Sequence, residues 1–279
     1  MKLSILIVND NAGERLRVAL ISLIRAGRNI DHEIIIVDNG SSERSAEMLA
    51  DEFPQIHIIV NEKNVGLSAA YNQAIRSANG EYVLVTNPFI LSKTITLEKI
   101  TGFMDEHPDT GGLSVRMVDP HGYYLPESKH SLPKPWCNFF RYTGLSKYFP
   151  KSCAESHKNE DWIEEFETTE VDVLNGACML LRRSVLKETG LFDERFFMYG
   201  HDIDLSYRIR LEGFKNYYYS HTFIIQFKRR DVNKFSWSNF RLYYGAMFIF
   251  AAKYLFKLPV LTLNNDMGKA YPSSYEVKG

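Results

Sequence analysis

From Lys2 to Gly112 the chain alternates short apolar β-rich runs with longer segments of helical period, and this alternation limits the fold more than any other feature. The runs LSILIV (3–8) and EIIIVD (33–38) are almost uniformly apolar. Strands of that kind need cover on both faces, which parallel βαβ units supply with helices. Between them Leu16, Ala19, Leu20, Leu23 and Ile24 recur at helical spacing, and Gly27 offers a stop. A second helix is expected to carry Ala46, Leu49 and Phe53, capped by Ser41 or Ser42 of the turn Asp38-Asn39-Gly40-Ser41-Ser42. IHIIV (56–60) reads as a third strand, residues 64–68 open a helix running to Ala78, and Gly80 precedes a fourth strand, EYVLVTN (81–87).

Beyond Asp119 the alternation stops. The stretch up to Glu170 has no sustained period and reads as a long surface excursion, a type of segment that often carries function. VDVLNGACMLLRRSVL (171–186) resumes as a strand and a short helix, and GLFDERFFMYGHDIDL (190–205) as an acidic aromatic loop. A helix is expected over Asp204–Glu212, closed by Gly213, and a last, aromatic helix over Phe235–Leu258. The expected organisation is an α/β domain over 1–230 and a helical extension over 231–279.

At 45% hydrophobic, 24% charged and 13% aromatic residues, the 279-residue chain is globular in composition, which excludes disordered and collagen-like classes. Thirty-three Lys+Arg against thirty-four Asp+Glu leave a net charge of −1, so no global field draws a polyanion and no nucleic-acid partner is expected. Cys137, Cys153 and Cys178 are odd in number and lack a C-x-x-C pair, which fits a reducing compartment better than a disulfide framework or a zinc cage. MKLSILIVND is interrupted by Asn9 and Asp10 before reaching signal-peptide length, so a cytoplasmic location is expected. The longest uncharged apolar stretch, Leu242–Ala252, is shorter than the roughly 18 residues of a membrane span. Its aromatic and basic residues suit either a place at the inner face of the cell membrane or packing against the core or a twin subunit.

In an open α/β sheet, ligands bind beyond the carboxyl ends of the strands. Asn9, Asp10 and Asn11, Asp38 and Asn39, Asn61 and Asn64, and Asn87 stand at those ends. Asp38 can accept a base N–H or a ribose hydroxyl, and Gly66 lets backbone approach a phosphate, although Asp38 and Asn39 equally suit a plain turn. No G-x-G-x-x-G follows the first strand and no G-x-x-x-x-G-K-[ST] occurs anywhere, which removes the main support for dinucleotide oxidoreductases and P-loop enzymes. Asp202 and Asp204, with His201 beside them, open a helix; one carboxylate can take a proton from a hydroxyl, and acids there also complement the helix dipole.

LSILIVNDN, EIIIVDNGSSE, NEKNVGLSAAYNQAI, EYVLVTNP and the block VDVLNGACMLLRRSVLKETGLFDERFFMYGHDIDLSYRIRLEGFK together resemble family 2 glycosyltransferases of GT-A fold, especially the bacterial rhamnosyltransferase-like branch. The resemblance covers Leu3 to about Lys215 and implies a mostly parallel central sheet flanked by helices, with a C-terminal helical extension. It implies an inverting transfer from a nucleotide diphosphate sugar, with dTDP-rhamnose as a candidate, to a bacterial surface glycan or lipid-linked acceptor. Asp38 then contacts the base, Asn9, Asn11 and Asn39 line the nucleotide pocket, Gly66 and Asn72 lie near it, Asn175 and Gly176 match the acceptor-side strand, and Asp202 is the general base.

Against that pattern three positions depart in one direction. The fourth strand of this branch ends in Asn-Pro-Asp, whose Asp holds a divalent cation, and here it ends in Asn87-Pro88-Phe89. Gln226 or Phe227 stands where a metal-side His is expected, and His201 replaces the Glu before Asp202. Mg²⁺ or Mn²⁺ retains only a weak oxygen set at Asn87 and Asp204, and Lys228, Arg229 and Arg230 are candidates to replace it at the leaving diphosphate. The lost carboxylate also keeps open a homologue that binds nucleotide sugar or glycan, or acts as an assembly partner, without turnover.

Overall fold

The structure, a computed structural model, describes residues 1–129, 132–155, 165–227 and 237–255. The first half runs β1 (Leu3–Asn9), α1 (Gly13–Gly27), β2 (His32–Asn39), α2 (Ser45–Glu52), β3 (His57–Asn61), α3 (Leu67–Ser77) and β4 (Tyr82–Thr86). The second adds β5 (Ile90–Ser92), α4 (Thr96–Glu106), β6 (Thr110–Val118), α5 (Lys134–Thr143), α6 (Pro150–Glu155), β7 (Thr169–Glu170), β8 (Cys178–Arg182), α7 (Arg183–Thr189), α8 (His201–Leu211), β9 (Lys215–Gln226) and α9 (Trp237–Tyr254).

One nine-stranded sheet has the order β3-β2-β1-β4-β8-β6-β9-β5, with β7 on β9. Strands β1 to β4 pair in parallel, β8 is antiparallel to both β4 and β6, β6 and β9 are parallel, and β5 and β7 run against β9. The uniformly apolar runs have the expected cause. Leu3, Ile5 and Ile7 face a core shared with Leu16, Leu20 and Leu23 of α1, while Leu6 and Val8 face Ala70, Tyr71 and Ala74 of α3. Because α1 and α3 cover opposite faces, the chain changes sides between β1 and β4, and the carboxyl rim there is the topological switch point at which such sheets open a crevice.

Several local expectations change. Ser41 and Ser42 do not cap α2, which starts at Ser45 with Arg44 at the cap position. Both serines instead tie the turn after β2 to the turn after β1: Asn9 Nδ2 and the Asn11 N–H donate to Ser41 Oγ, and the Ser42 N–H and hydroxyl donate to Asn11 Oδ1. Residues 171–174 are not a strand; the strand is Cys178–Arg182, after a turn in which Asn175 Oδ1 accepts the Ala177 N–H. Helix α8 begins at His201, three residues before the expected start, so Asp202 lies in its first turn. The excursion after Asp119 is not merely surface: Trp136, Phe140 and Phe149 are fully buried and pack with Phe196, Ile203, Tyr207, Ala246, Met247 and Phe250 in a third, aromatic core. That core joins α5, α8 and α9. All three cysteines are buried and form no disulfide among the described residues, and no helix among the described residues is long and apolar enough to cross a membrane.

Candidate active site

At the ends of β1, β2 and β3 the polar residues hold one another. Asn9 Nδ2 donates to Asp38 Oδ2 at 3.0 Å, Asp38 Oδ1 accepts the Ser41 N–H at 2.9 Å, and Asn9 Oδ1 accepts the Ala12 N–H at 3.2 Å. Asn39 donates to Asn64 Oδ1 and accepts from Asn61 Nδ2 and the Val65 N–H. Asn9, Asp38 and Asn39 are each at most 3% exposed. A carboxylate has about four lone-pair sites, so Asp38, with two bonds received, keeps acceptor capacity while its orientation is fixed. Asn11 adopts φ +54°, the left-handed region that Asn tolerates, and its side chain crosses to Ser42.

The start of α3 is fastened to the loop before α8. Gly66 has φ +89° and ψ 159°, and a Cβ there would stand 2.7 Å from the Phe197 ring. The Leu67 N–H donates to Phe197 O at 2.7 Å and Ser68 Oγ to Phe196 O. Asn72 differs in employment from its expected place near the nucleotide: its amide donates to Phe192 O and Glu194 Oε1 and accepts the Phe192 N–H, all while 2% exposed. It positions the 192–197 loop.

The opposite end of this rim carries the chemistry-bearing groups. Gly200, at φ +82°, turns the chain into α8. Half-buried Asp202 has one hydrogen bond among the described residues, from the Ile203 N–H to Oδ1 at 2.9 Å. A methyl group at Gly176 would lie 3.2 Å from Asp202 Oδ2 and 3.3 Å from His201 Nε2, so the three residues meet at one point. His201 is buried against Tyr71 and Phe192, and its Nδ1 has no hydrogen-bond partner among the described residues. Tyr71, whose phenol burial pushes up, donates to Thr86 O at the end of β4. Thr86 Oγ1 and the Asn87 N–H both donate to Ala177 O, which sets Gly176 beside the end of β4. Asn175 reaches Glu127 O, and Asn87 Oδ1 accepts the Phe89 N–H. From Asp38 on β2 to the β8 end near Asp202 is three strand spacings of about 4.8 Å, on the order of 14 Å.

A cavity of about 110 Å³ adjoins Asp202, lined by Pro133, Trp136, Tyr199, Ile203 and Tyr243 among others. A larger one, about 290 Å³, lies at the opposite, amino rim beside Gly80, Arg182 and Arg183.

Asp204 is not available to a ligand. It is fully buried; Oδ2 accepts Arg208 Nε at 2.9 Å, and Oδ1 accepts both Lys253 Nζ and the Tyr254 hydroxyl at 2.7 Å. Lys253 also pairs with Asp193 at 3.0 Å. Burial alone would raise the Asp193 carboxyl, but the Arg195 hydrogen bond and the charges of Lys253 and Arg195 outweigh it and hold the group well below the usual carboxylate range. This ion cluster ties α9 to α8. Sequence reading missed it because Lys253 lies 60 residues from Asp193 and 49 from Asp204.

The described residues do not fit a divalent cation. Among the described residues no three His, Cys, Asp or Glu side chains converge on a metal position. Asp204 is engaged elsewhere, and Phe89 lies against the core with the Arg15 guanidinium 5.6 Å from its ring centroid and 5.9 Å from that of Phe227. Lys228, Arg229 and Arg230 lie outside the described residues.

A doubly wound half, continued by a mixed half that carries an acidic helix entrance to the same rim, is the GT-A arrangement of glycosyltransferases. The sequence profile of glycosyl transferase family 2 matches residues 4–190, and the chain belongs to that family. An N-acetylglucosaminyl-diphospho-decaprenol L-rhamnosyltransferase of Mycobacterium tuberculosis is 23% identical over 230 residues, 78% of this chain and 74% of that protein. The low-salt glycan biosynthesis hexosyltransferase Agl10 of Haloferax volcanii is 32% identical over 217 residues, 76% of this chain and 62% of that one. The S. aureus TarS structure in complex with UDP-GlcNAc superposes with a TM-score of 0.62 at 19% identity, over 91% of this chain and 66% of that one. The protein is a glycosyltransferase.

Proposed function

We propose that the protein transfers a sugar, with inversion, from a nucleotide diphosphate sugar to an acceptor hydroxyl, and that Asp202 is the general base. The observation that carries this reading is the meeting of Asp202, His201 and Gly176 at the rim beside β4, on the same edge as the Asn9–Asp38 pair. The nucleobase sits toward Asp38 and Asn39, within reach of Asn11; the sugar lies past the β1–β4 switch point, near Asn87 and Gly66. The acceptor oxygen forms its bond to the anomeric carbon as the bond to the diphosphate oxygen breaks. The bonding pair leaves with the nucleoside diphosphate, and the hydroxyl proton passes to Asp202. Asn175 and His201 border the acceptor side.

Rhamnose as the donor sugar, and a lipid-linked acceptor in glycan assembly, are supported by the name of the mycobacterial relative. Peripheral contact with the cell membrane fits the outer face of α9, where Trp237 and Phe248 are 73% and 72% exposed and Phe240 and Tyr244 share their stripe. The test is incubation with UDP-, GDP- and dTDP-sugars and a polyprenyl-diphosphate-linked N-acetylglucosamine, following nucleoside diphosphate release and the anomeric configuration by NMR. An inverted product supports the reading. A retained configuration, or no release from any donor, overturns it.

A further inference from the structure

Among the described residues no anion pairs with Arg15. It lies in the first turn of α1, directly beyond the end of β1. Arg17, two residues on, is matched by Glu52 at 2.6 Å and Glu14 at 3.4 Å. The half-buried Arg15 guanidinium has no carboxylate or carbonyl within bonding distance among the described residues; it lies over the rings of Phe89 and Phe227. Those rings belong to segments fastened together, since the Phe227 N–H donates to Phe89 O at 2.8 Å. Arg15 follows the end of β1 and Phe89 the end of β4, the two strands that flank the switch point, and Phe227 reaches the same place through its bond to Phe89.

A guanidinium over aromatic faces is fixed in direction yet keeps its five N–H donors, and its planar fork matches a phosphate. The start of α1 adds the positive end of a helix dipole at the same place. Where a divalent cation would need carboxylates, the end of β4 supplies apolar rings and a permanent positive charge.

We infer that Arg15, held against Phe89 and Phe227, binds the diphosphate of the donor and serves this chain in place of a divalent cation. The inference rests on the donor reading above. In the transfer step Arg15 faces the oxygen that receives the bonding pair, stabilising the charge that develops there.

The test is calorimetric titration of UDP, GDP and dTDP, and of the parent nucleosides, in EDTA and then in Mn²⁺, with wild type, Arg15→Gln and Arg15→Lys; thermal unfolding establishes that each variant is folded. The expected result is metal-free diphosphate binding by wild type, weakened by about 10- to 100-fold in Arg15→Gln, less in Arg15→Lys, with nucleoside affinity unchanged. Equal diphosphate affinity in Arg15→Gln, or binding that requires Mn²⁺, overturns the inference and leaves the donor reading standing. Failure of every nucleotide to bind overturns both.

Discussion

The ends of β1, β2 and β3 and the entrance of α8 lie on one rim and are built in opposite ways. At the first, Asn9, Asp38, Asn39, Asn61 and Asn64 bond to one another and to turn N–H groups, which produces a rigid polar surface with few free valences. At the second, Asp202 and His201 are positioned by backbone and packing and keep polar atoms without a hydrogen-bond partner among the described residues. A surface of the first kind orients a ligand without reorganising, whereas groups of the second kind can change protonation during a reaction. The same division runs through α8 itself: Asp204, two residues on and so on the opposite side of the helix from Asp202, has both oxygens engaged by Arg208, Lys253 and Tyr254.

The strongest way to break this comparison is Asp202→Asn. Removal of a general base lowers kcat by about 10²- to 10⁴-fold, while nucleotide affinity measured by calorimetry stays at the wild-type value. Turnover within threefold of wild type, roughly 0.7 kcal/mol, would leave Asp202 as an acid that only complements the helix dipole. Asp204→Ala should behave inversely in unfolding experiments: it removes the buried acceptor shared by Arg208, Lys253 and Tyr254 and costs about 3–5 kcal/mol in denaturant titration, against about 0.5 kcal/mol or less for Asp202→Asn. Equal stability losses would erase the distinction between the two carboxylates.

Smaller effects sharpen it. Gly66→Ala forces a side chain into a conformation that favours glycine and against Phe197, costing about 1–3 kcal/mol in the same titration. Because Gly66 touches the loop that leads into α8, kcat should fall as well. The acid limb of stability tests the Asp193–Lys253 tie. Asp193 is depressed in the folded state, so its contribution is present above the unfolded carboxylate value near about 4 and is lost as the pH falls below it. Asp193→Asn should flatten that limb, as read by thermal unfolding between pH 5 and pH 2; an unchanged slope would assign it to other carboxylates.

Much of the first half could be read from the sequence, because a strand buried on both faces and a helix with an apolar stripe each leave a local period; Ile5, Leu6 and Leu16 carry it. The second half left weaker signals. Strands β6 and β9 pair across about a hundred residues of chain, and their register shifts at Val115, so no local period announces them. The site shows the same limit. Asp38 and Asp202 stand at element ends where spacing is informative, but the burial of Asp204 depends on Lys253, and the setting of Arg15 depends on Phe227. Only tertiary structure brings those pairs together.

The central claim is that one carboxyl rim holds an activated donor between Asp38 and Asp202. A crystal structure of the protein with a bound nucleoside diphosphate tests it most directly. The account predicts the base beside Asp38 and Asn39 and the diphosphate across the β1–β4 junction facing Arg15. A nucleotide seated instead in the larger amino-rim cavity, against Arg182, Arg183 and Lys187, would contradict it.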